Sequence, residues 1–288
     1  MTYNYLTNQY LVTSERQMTK RILITGATSG IGYQLVIDYL NAGHYVYAVG
    51  RNQTVLQQLK QLGAMIIIAD LTDRNQAIDS IQNMLQQTPL DVVICCAGIC
   101  QYVDITHINS THTTNSSNSA SQTINTMSSA SSELLGFDSA KIMDVMNTNF
   151  GTLVHTIEAV LPYLQQSKGR LVALGSASAF VPFVRAEAYA SSKSAVHYLI
   201  KTLQLSLKPY DIDVSLVIPG FVDTPMTAQN DFDMPFLQTV EQASQAIRKG
   251  IENGEDVIEF PKRLTVPLKT LGMLPNVVWE RVSDRLNK

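Results

Sequence analysis

The chain has 288 residues, 45% of them apolar and 16% charged, with a formal net charge of −3. This is enough for a sizeable core, and the small net charge leaves no electrostatic footprint for nucleic acid. The longest apolar runs, at 65–69 and 92–97, are strand-length and far short of the ~20 residues that cross a bilayer, so no transmembrane segment is expected.

Residues 1–20 are polar, rich in Tyr, Asn and Thr, and read as a flexible tail without the basic start or apolar centre of a signal peptide. Met18 would itself make a natural start just before a strand, so the residues before it are expected to be dispensable. Residues 21–25 form a short apolar run that reads as a buried strand. It runs into Gly26-Ala-Thr28-Ser29-Gly30-Ile31-Gly32, followed by a helical pattern through Leu35, Ile37 and Leu40. Strand, glycine turn and helix form the context of a dinucleotide fingerprint. Gly26 permits the tight turn, Gly30 admits a pyrophosphate to the backbone, and Gly32 lets the helix lie close to the sheet. The helix start then offers N–H groups to phosphates.

A second strand at 45–49 ends in Gly50-Arg51-Asn52. NAD enzymes of this architecture place a carboxylate here for the ribose hydroxyl. Arg51 instead suits a 2′-phosphate, which predicts NADP(H) over NAD(H). A helix at 53–62 and a strand at 64–69 follow, then Asp70-Leu71-Thr72-Asp73 and a helix at 74–87. Asp70 is expected near an adenine ring or as a helix cap, with Asp73 competing for the cap. A fourth strand at 90–95 leaves through Cys96-Ala97-Gly98, whose small residues permit close approach of a cofactor. Cys95, Cys96 and Cys100 form no Cys-x-x-Cys pair and no disulfide framework, which points to a reducing, cytoplasmic compartment. The βαβαβαβ alternation predicts a doubly wound parallel α/β sheet of about seven strands in one domain, 21–261, with ligands beyond the strands' carboxyl ends.

Residues 105–132 break the rhythm: they are dominated by Ser, Thr and Asn and read as a disordered insertion or a substrate lid. His107 and His112 lie there, but no third ligand is near, and no metal is expected. A helix is expected at 138–147 and a second with Leu153, Ile157, Val160, Leu161 and Leu164. Asn149 lies between them, either as a local cap or as a distortion that holds a water leading to Lys193. A fifth strand at 169–174 ends at Gly175-Ser176-Ala-Ser178, and an apolar loop carries Phe180 and Phe183. The helix expected at 189–207 opens on Tyr189-Ala-Ser-Ser-Lys193, which puts phenol and ammonium one turn apart on one face. A lysine beside a tyrosine favours the phenolate and brings the proton within working range, and Ser176, thirteen residues upstream, is placed to hold a substrate oxygen. A sixth strand at 214–218 closes at Pro219-Gly220, a loop with Phe221, Val222, Thr224, Met226 and Phe236 leads to a helix at 240–252, and a last strand lies at 257–260. The remaining 262–288 reads as a helical tail.

Taken together, residues 21 to about 260 resemble the short-chain dehydrogenase/reductase family. Thr25-Gly26-x-x-x-Gly30-Ile31-Gly32 is similar to its cofactor motif, Ser176 with Tyr189-x-x-x-Lys193 to its catalytic core, and Pro219-Gly220 with Thr224 to its nicotinamide segment. The resemblance implies Tyr189 as proton donor and acceptor, Lys193 as the group that lowers its pKa and binds the nicotinamide ribose, Ser176 on the substrate oxygen and Asn149 on a relay water. It implies a cofactor set of Gly26, Thr28, Ser29, Gly30, Ile31, Gly32, Arg51, Asp70, Leu71, Ala97, Gly98, Tyr189, Lys193, Pro219, Gly220, Val222 and Thr224. It also implies a small carbonyl or alcohol substrate and a homodimer or homotetramer. Cys95-Cys96-Ala97-Gly98 departs from the family's Asn-Asn-Ala-Gly and removes amides that brace the fourth strand and the cofactor's sugar. The function expected is an NADP(H)-dependent oxidoreductase for a lipophilic substrate, against an NADP(H)-binding sensor or scaffold without turnover. A nucleotide-sugar epimerase would need a larger C-terminal domain than this chain has room for.

Overall fold

The computed structural model describes residues 18–103, 106–108 and 134–286. The tail before Met18, most of the 105–132 insertion and His112 lie outside the described residues, and so do the side chains at 106–108, His107 among them. The chain runs β1 (Arg21–Thr25), α1 (Gly30–Asn41), β2 (Tyr45–Gly50), α2 (Gln53–Gln61), β3 (Met65–Ile68), α3 (Arg74–Leu85) and β4 (Val92–Cys95). A two-stranded antiparallel pair, β5 (Thr106–Ile108) and β6 (Leu134–Gly136), stands at the foot of the insertion. Only β5 falls within 105–132, and there it corrects the expected unstructured stretch, because backbone pairing with β6 needs no apolar pattern in the sequence between them. Then come α4 (Ser139–Met146), a π-turn (Asn147–Gly151), α5 (Thr152–Ser167), β7 (Arg170–Leu174), α6 (Glu187–Ser206), β8 (Asp213–Pro219), α7 (Val240–Glu252), β9 (Val257–Phe260), α8 (Lys262–Leu271) and α9 (Asn276–Leu286).

Seven strands form one parallel sheet in the order β3-β2-β1-β4-β7-β8-β9. Both faces are covered, which is why the strands read as unbroken apolar runs. Successive side chains still part company by period two. Leu23, Val93, Leu171 and Leu216 enter one core with Val160, Leu164, Val196 and Ile200 of α5 and α6. Ile22, Ile24, Val92, Ile94 and Val172 enter the other with Leu35, Leu56 and Ile247 of α1, α2 and α7. Burial of each such side chain is worth about 2 kcal/mol. Strand order reverses between β1 and β4, and the crevice at their carboxyl ends is the ligand position of an open α/β sheet.

Candidate functional site

The crevice is a cleft of about 610 Å³, within the range of small-molecule sites. Every residue that the resemblance assigns to the cofactor lines it, from Gly26 in the first loop to Thr224 after β8. Gly26 has φ +63°, and a Cβ there would stand 2.7 Å from the backbone nitrogen of Ala97. A Cβ on Gly32 would stand 2.3 Å from the Gly26 carbonyl oxygen. The loop after β1 therefore closes tightly on the residues that leave β4, and the first turn of α1 closes on that loop. Ser29, the N-cap of α1, makes no side-chain cap hydrogen bond, whereas Asn52, Asp73, Asp138 and Thr239 cap α2, α3, α4 and α7 with theirs. The first turn of α1 thus lines the cleft with its backbone N–H groups uncapped by a side chain.

Arg51 reaches Asp70 at 3.6 Å and is 65% exposed. Hydrogen bonds from the backbone and hydroxyl of Thr72, and then the Arg51 charge, hold the Asp70 carboxyl below its usual range. Asp73, not Asp70, caps α3 by accepting from Gln76 N at 3.1 Å. Asn52, Thr72, Thr148, Thr152 and Thr227 also line the cleft and carried no signal in the sequence beyond their polarity.

Asn149 is buried and sits inside the π-turn, so it does not act as a helix cap. Its Nδ2 donates to Ile99 O at 2.9 Å and to Ser192 Oγ at 2.9 Å, and its Oδ1 accepts from Ile99 N at 2.7 Å. One extra residue in the helical turn aims the amide sideways at the loop after β4, a use typical of π-bulges. That loop is held from its other side too, because Ala97 N donates to Thr25 Oγ1 at 3.3 Å. These two braces act where Cys95 and Cys96 offer no amide. Burial pushes the Cys95 thiol up to about 12, and Cys96 is raised by the same cause.

Tyr189 and Lys193 lie on the first turns of α6, which begins two residues earlier than expected, at Glu187. Lys193 is buried and donates to Leu174 O at 2.8 Å, and its Nζ stands 5.7 Å from the centre of the Tyr189 ring. Burial lowers the ammonium to about 8. Burial raises the Tyr189 phenol well above its ordinary value, the Cys100 thiol adds to the rise, and a hydrogen bond with Ser176 opposes it. The counterweight on the phenol is thus the serine hydroxyl, while the ammonium is committed to the end of β7. Ser176 is buried, and its Oγ accepts from Ser178 N at 3.1 Å and from Ser178 Oγ at 2.9 Å. The structure therefore brings Ser176, Tyr189 and Lys193 together at one end of the cleft, with Asn149 behind them through Ser192.

Three loops are tied to one another next to the start of α6. Tyr102 donates to Asn230 at 2.7 Å, the Arg185 guanidinium lies 5.1 Å from the Tyr102 ring centre, and Arg185 pairs with Asp231 at 2.9 Å. Phe232 meets both Tyr102 and Phe221 edge-on, with centroids 6.1 and 5.9 Å apart. None of Tyr102, Arg185 or Asp231 stood out in the sequence. Of the apolar loop residues that did, Met226 lines the cleft, but Phe180 packs on His197 and Phe183 on Trp279. Among the described residues no group of His, Cys, Asp and Glu is arranged to hold a metal, and no helix is long and apolar enough to cross a membrane.

The short chain dehydrogenase family profile matches residues 20–234. A protein of Arabidopsis thaliana described as 11-beta-hydroxysteroid dehydrogenase-like 3 is 31% identical over 289 residues, covering 95% of this chain and 82% of that one. An uncharacterized oxidoreductase of Myxococcus xanthus is 27% identical over 272 residues, covering 92% and 96%. In fold, the chain is similar to a short chain dehydrogenase from Burkholderia cenocepacia in complex with NADP, with a TM-score of 0.71, 20% identity and coverage of 91% and 97%. A short-chain dehydrogenase from Sphingobium yanoikuyae in complex with NADPH superposes with a TM-score of 0.66 at 24% identity, covering 92% and 96%. Because the profile covers well over half of the chain, from before β1 into the loop after β8, and the α6 pair falls inside it, the chain belongs to the short chain dehydrogenase family of oxidoreductases.

Proposed function

We propose that the protein is an NADP(H)-dependent oxidoreductase that interconverts a lipophilic carbonyl compound and its alcohol, with Tyr189 as general acid and base. The observation that carries this reading is the meeting of Ser176, Tyr189 and Lys193 at the end of a cleft whose other end is the glycine loop. The cleft fits a dinucleotide: its floor at Gly26 and Gly32 has no room for a Cβ, and the start of α1 is uncapped. The relatives in complex with NADP and NADPH support the same choice. The α1 N-terminus would hold the pyrophosphate, Arg51 the 2′-phosphate, and Lys193 and Thr224 the nicotinamide end. When bound, the nicotinamide supplies or accepts the hydride.

In the reducing direction, Ser176 Oγ holds the substrate oxygen and Tyr189 gives it a proton. The Lys193 charge above the ring stabilises the phenolate that remains. Asn149 keeps the loop after β4 in register with α6 through Ile99 and Ser192. Met226 in the cleft wall, and the ring cluster of Tyr102, Phe221 and Phe232 in the loops, support a lipophilic substrate. Exposed Met143, Tyr198 and Leu205, the last two 78% and 75% exposed, support a homodimer or homotetramer built on α4 and α6. A cytoplasmic setting rests on the unpaired cysteines.

The test of the whole reading is NADPH consumption by the purified chain across a panel of ketones and aldehydes; no turnover of any of them would overturn it. Arg51→Asp is expected to lower the preference for NADPH over NADH by roughly tenfold to a hundredfold, as charge-assisted hydrogen bonds to phosphate are lost. Competing cofactor titrations would show it, and an unchanged ratio would remove Arg51 from the site. Asp231→Asn breaks an exposed ion pair worth at most about 1 kcal/mol, so melting should hardly move. Since the pair ties the segment before α6 to the loop after β8, KM for the carbonyl substrate is expected to rise about threefold in steady-state assays.

A further inference from the structure

One side chain behind the reacting hydroxyls has no place in the scheme above. His197 follows Lys193 by one turn of α6 and is buried. Its Nε2 accepts the backbone N–H of Ser176 at 3.1 Å. That N–H meets no strand carbonyl among the described residues: Gly175 N turns to β8 and takes Val217 O at 2.8 Å, and on the other side the ladder with β4 has already ended at Ala173 paired with Cys95. A buried N–H without a partner would carry the full cost of its lost solvation. Gly175 is shaped to the same contact, since a Cβ there would stand 2.3 Å from His197 Nε2. Lys193 takes the carbonyl of Leu174 and His197 takes the N–H of Ser176, so consecutive turns of α6 grip both sides of Gly175.

We propose that His197 is a positioning residue, whose ring nitrogen holds the Ser176 backbone and so sets where the Ser176 hydroxyl stands relative to Tyr189. The Phe180 ring meets the imidazole edge-on at 5.8 Å and limits its rotation. To accept at Nε2, the ring must be neutral with its proton on Nδ1. Burial, with the Lys201 and Lys193 charges, lowers the imidazole to about 4, so it stays neutral across the physiological range. A misplacement of the serine by a fraction of an ångström acts on the chemical step, because proximity to the reacting oxygen is what the hydroxyl contributes.

This inference rests on the enzymatic reading for its kinetic arm only. Two variants separate a hydrogen-bond role from packing: His197→Gln, which keeps an acceptor of similar reach, and His197→Leu, which keeps bulk without one. In the whole chain, His197→Leu is expected to lower kcat about tenfold and His197→Gln to recover it to within about threefold, with the NADPH dissociation constant unchanged in both. Amide exchange at Ser176 is expected to quicken in His197→Leu and stay slow in His197→Gln. Equal kcat in all three chains, or equal loss in both variants, would overturn the positioning role. Unchanged exchange at Ser176 in His197→Leu would overturn the hydrogen bond itself. Should the wild type turn over no carbonyl compound, the exchange arm still decides between acceptor and filler, and the failure lies with the enzymatic reading.

Discussion

Tyr189→Phe is expected to lower kcat by about three orders of magnitude while the chain folds normally and still binds NADPH. Phenylalanine keeps the ring and its packing at the start of α6. Only the hydroxyl disappears, with its hydrogen bond to Ser176, at a stability cost of about 1 kcal/mol. The kinetic cost is larger because the substrate oxygen then develops alkoxide charge beside Ser176 alone, whose hydroxyl is a far weaker acid than a phenol. A second phenol stands nearby, but Tyr102 is tied to Asn230 and burial pushes it up to about 12, which makes it a poor substitute. The raised phenol of Tyr189 also fixes a pH signature. A folded pKa above the ordinary value keeps the acid form through neutral pH, so kcat for carbonyl reduction should be flat from about pH 6 to 7.5 and fall above about pH 8, where Lys193 loses its charge. Alcohol oxidation needs the phenolate and should quicken as pH rises across the same interval. Stopped-flow and steady-state rates in both directions check both statements. Residual activity within about tenfold of wild type would remove the phenol from the mechanism.

The seven strands of the parallel sheet could be read from their sequence because most are buried on both faces and lie next to a glycine, proline or aspartate. β9 and α7 fall where their patterns put them, and β1 differs by nothing. The glycine loop was legible for a related reason: close approach of backbones leaves glycine as the only residue that fits, as at Gly32 against Gly26. What the sequence hid depends on partners far along the chain. Asn149 reads as a cap until Ile99, fifty residues away, is seen to take both ends of its amide. His197 reads as one more residue on a helix until the end of β7 is laid against it. The phenylalanines at 180 and 183 read as substrate contacts or as packing alike, and the structure sets their rings against His197 and the tryptophan of the C-terminal helix. Composition alone cannot tell an aromatic that meets a ligand from one that meets a neighbour. Residues that close the loops, Tyr102, Arg185 and Asp231, come from three segments and have no shared local motif.

Lys193→Met should divide stability from activity. The lysine is nine-tenths buried or more, and burial brings its ammonium from 10.5 to about 8. At pH 7 it is charged both folded and unfolded, and the shift then amounts to about 3 kcal/mol of destabilisation relative to a neutral group. Between about 8 and 10.5 the unfolded chain binds the proton and the folded chain does not, so this penalty fades as pH rises through that window. Methionine has similar length and no charge. It forfeits the hydrogen bond to Leu174 O, worth about 1 kcal/mol, and removes the larger penalty. The variant is therefore expected to be more stable than wild type at pH 7 by about 2 kcal/mol and to lose that advantage by about pH 10.5. Urea unfolding of both chains without cofactor measures the difference, and the thiols and phenols that titrate in the same range cancel between them. The same substitution takes away the only ammonium over the Tyr189 ring among the described residues, and kcat should fall about a hundredfold. A variant that is less stable at pH 7 and at pH 10 alike would show that the buried charge carries no such strain, and that Lys193 is held in place by packing and its bond to β7 alone.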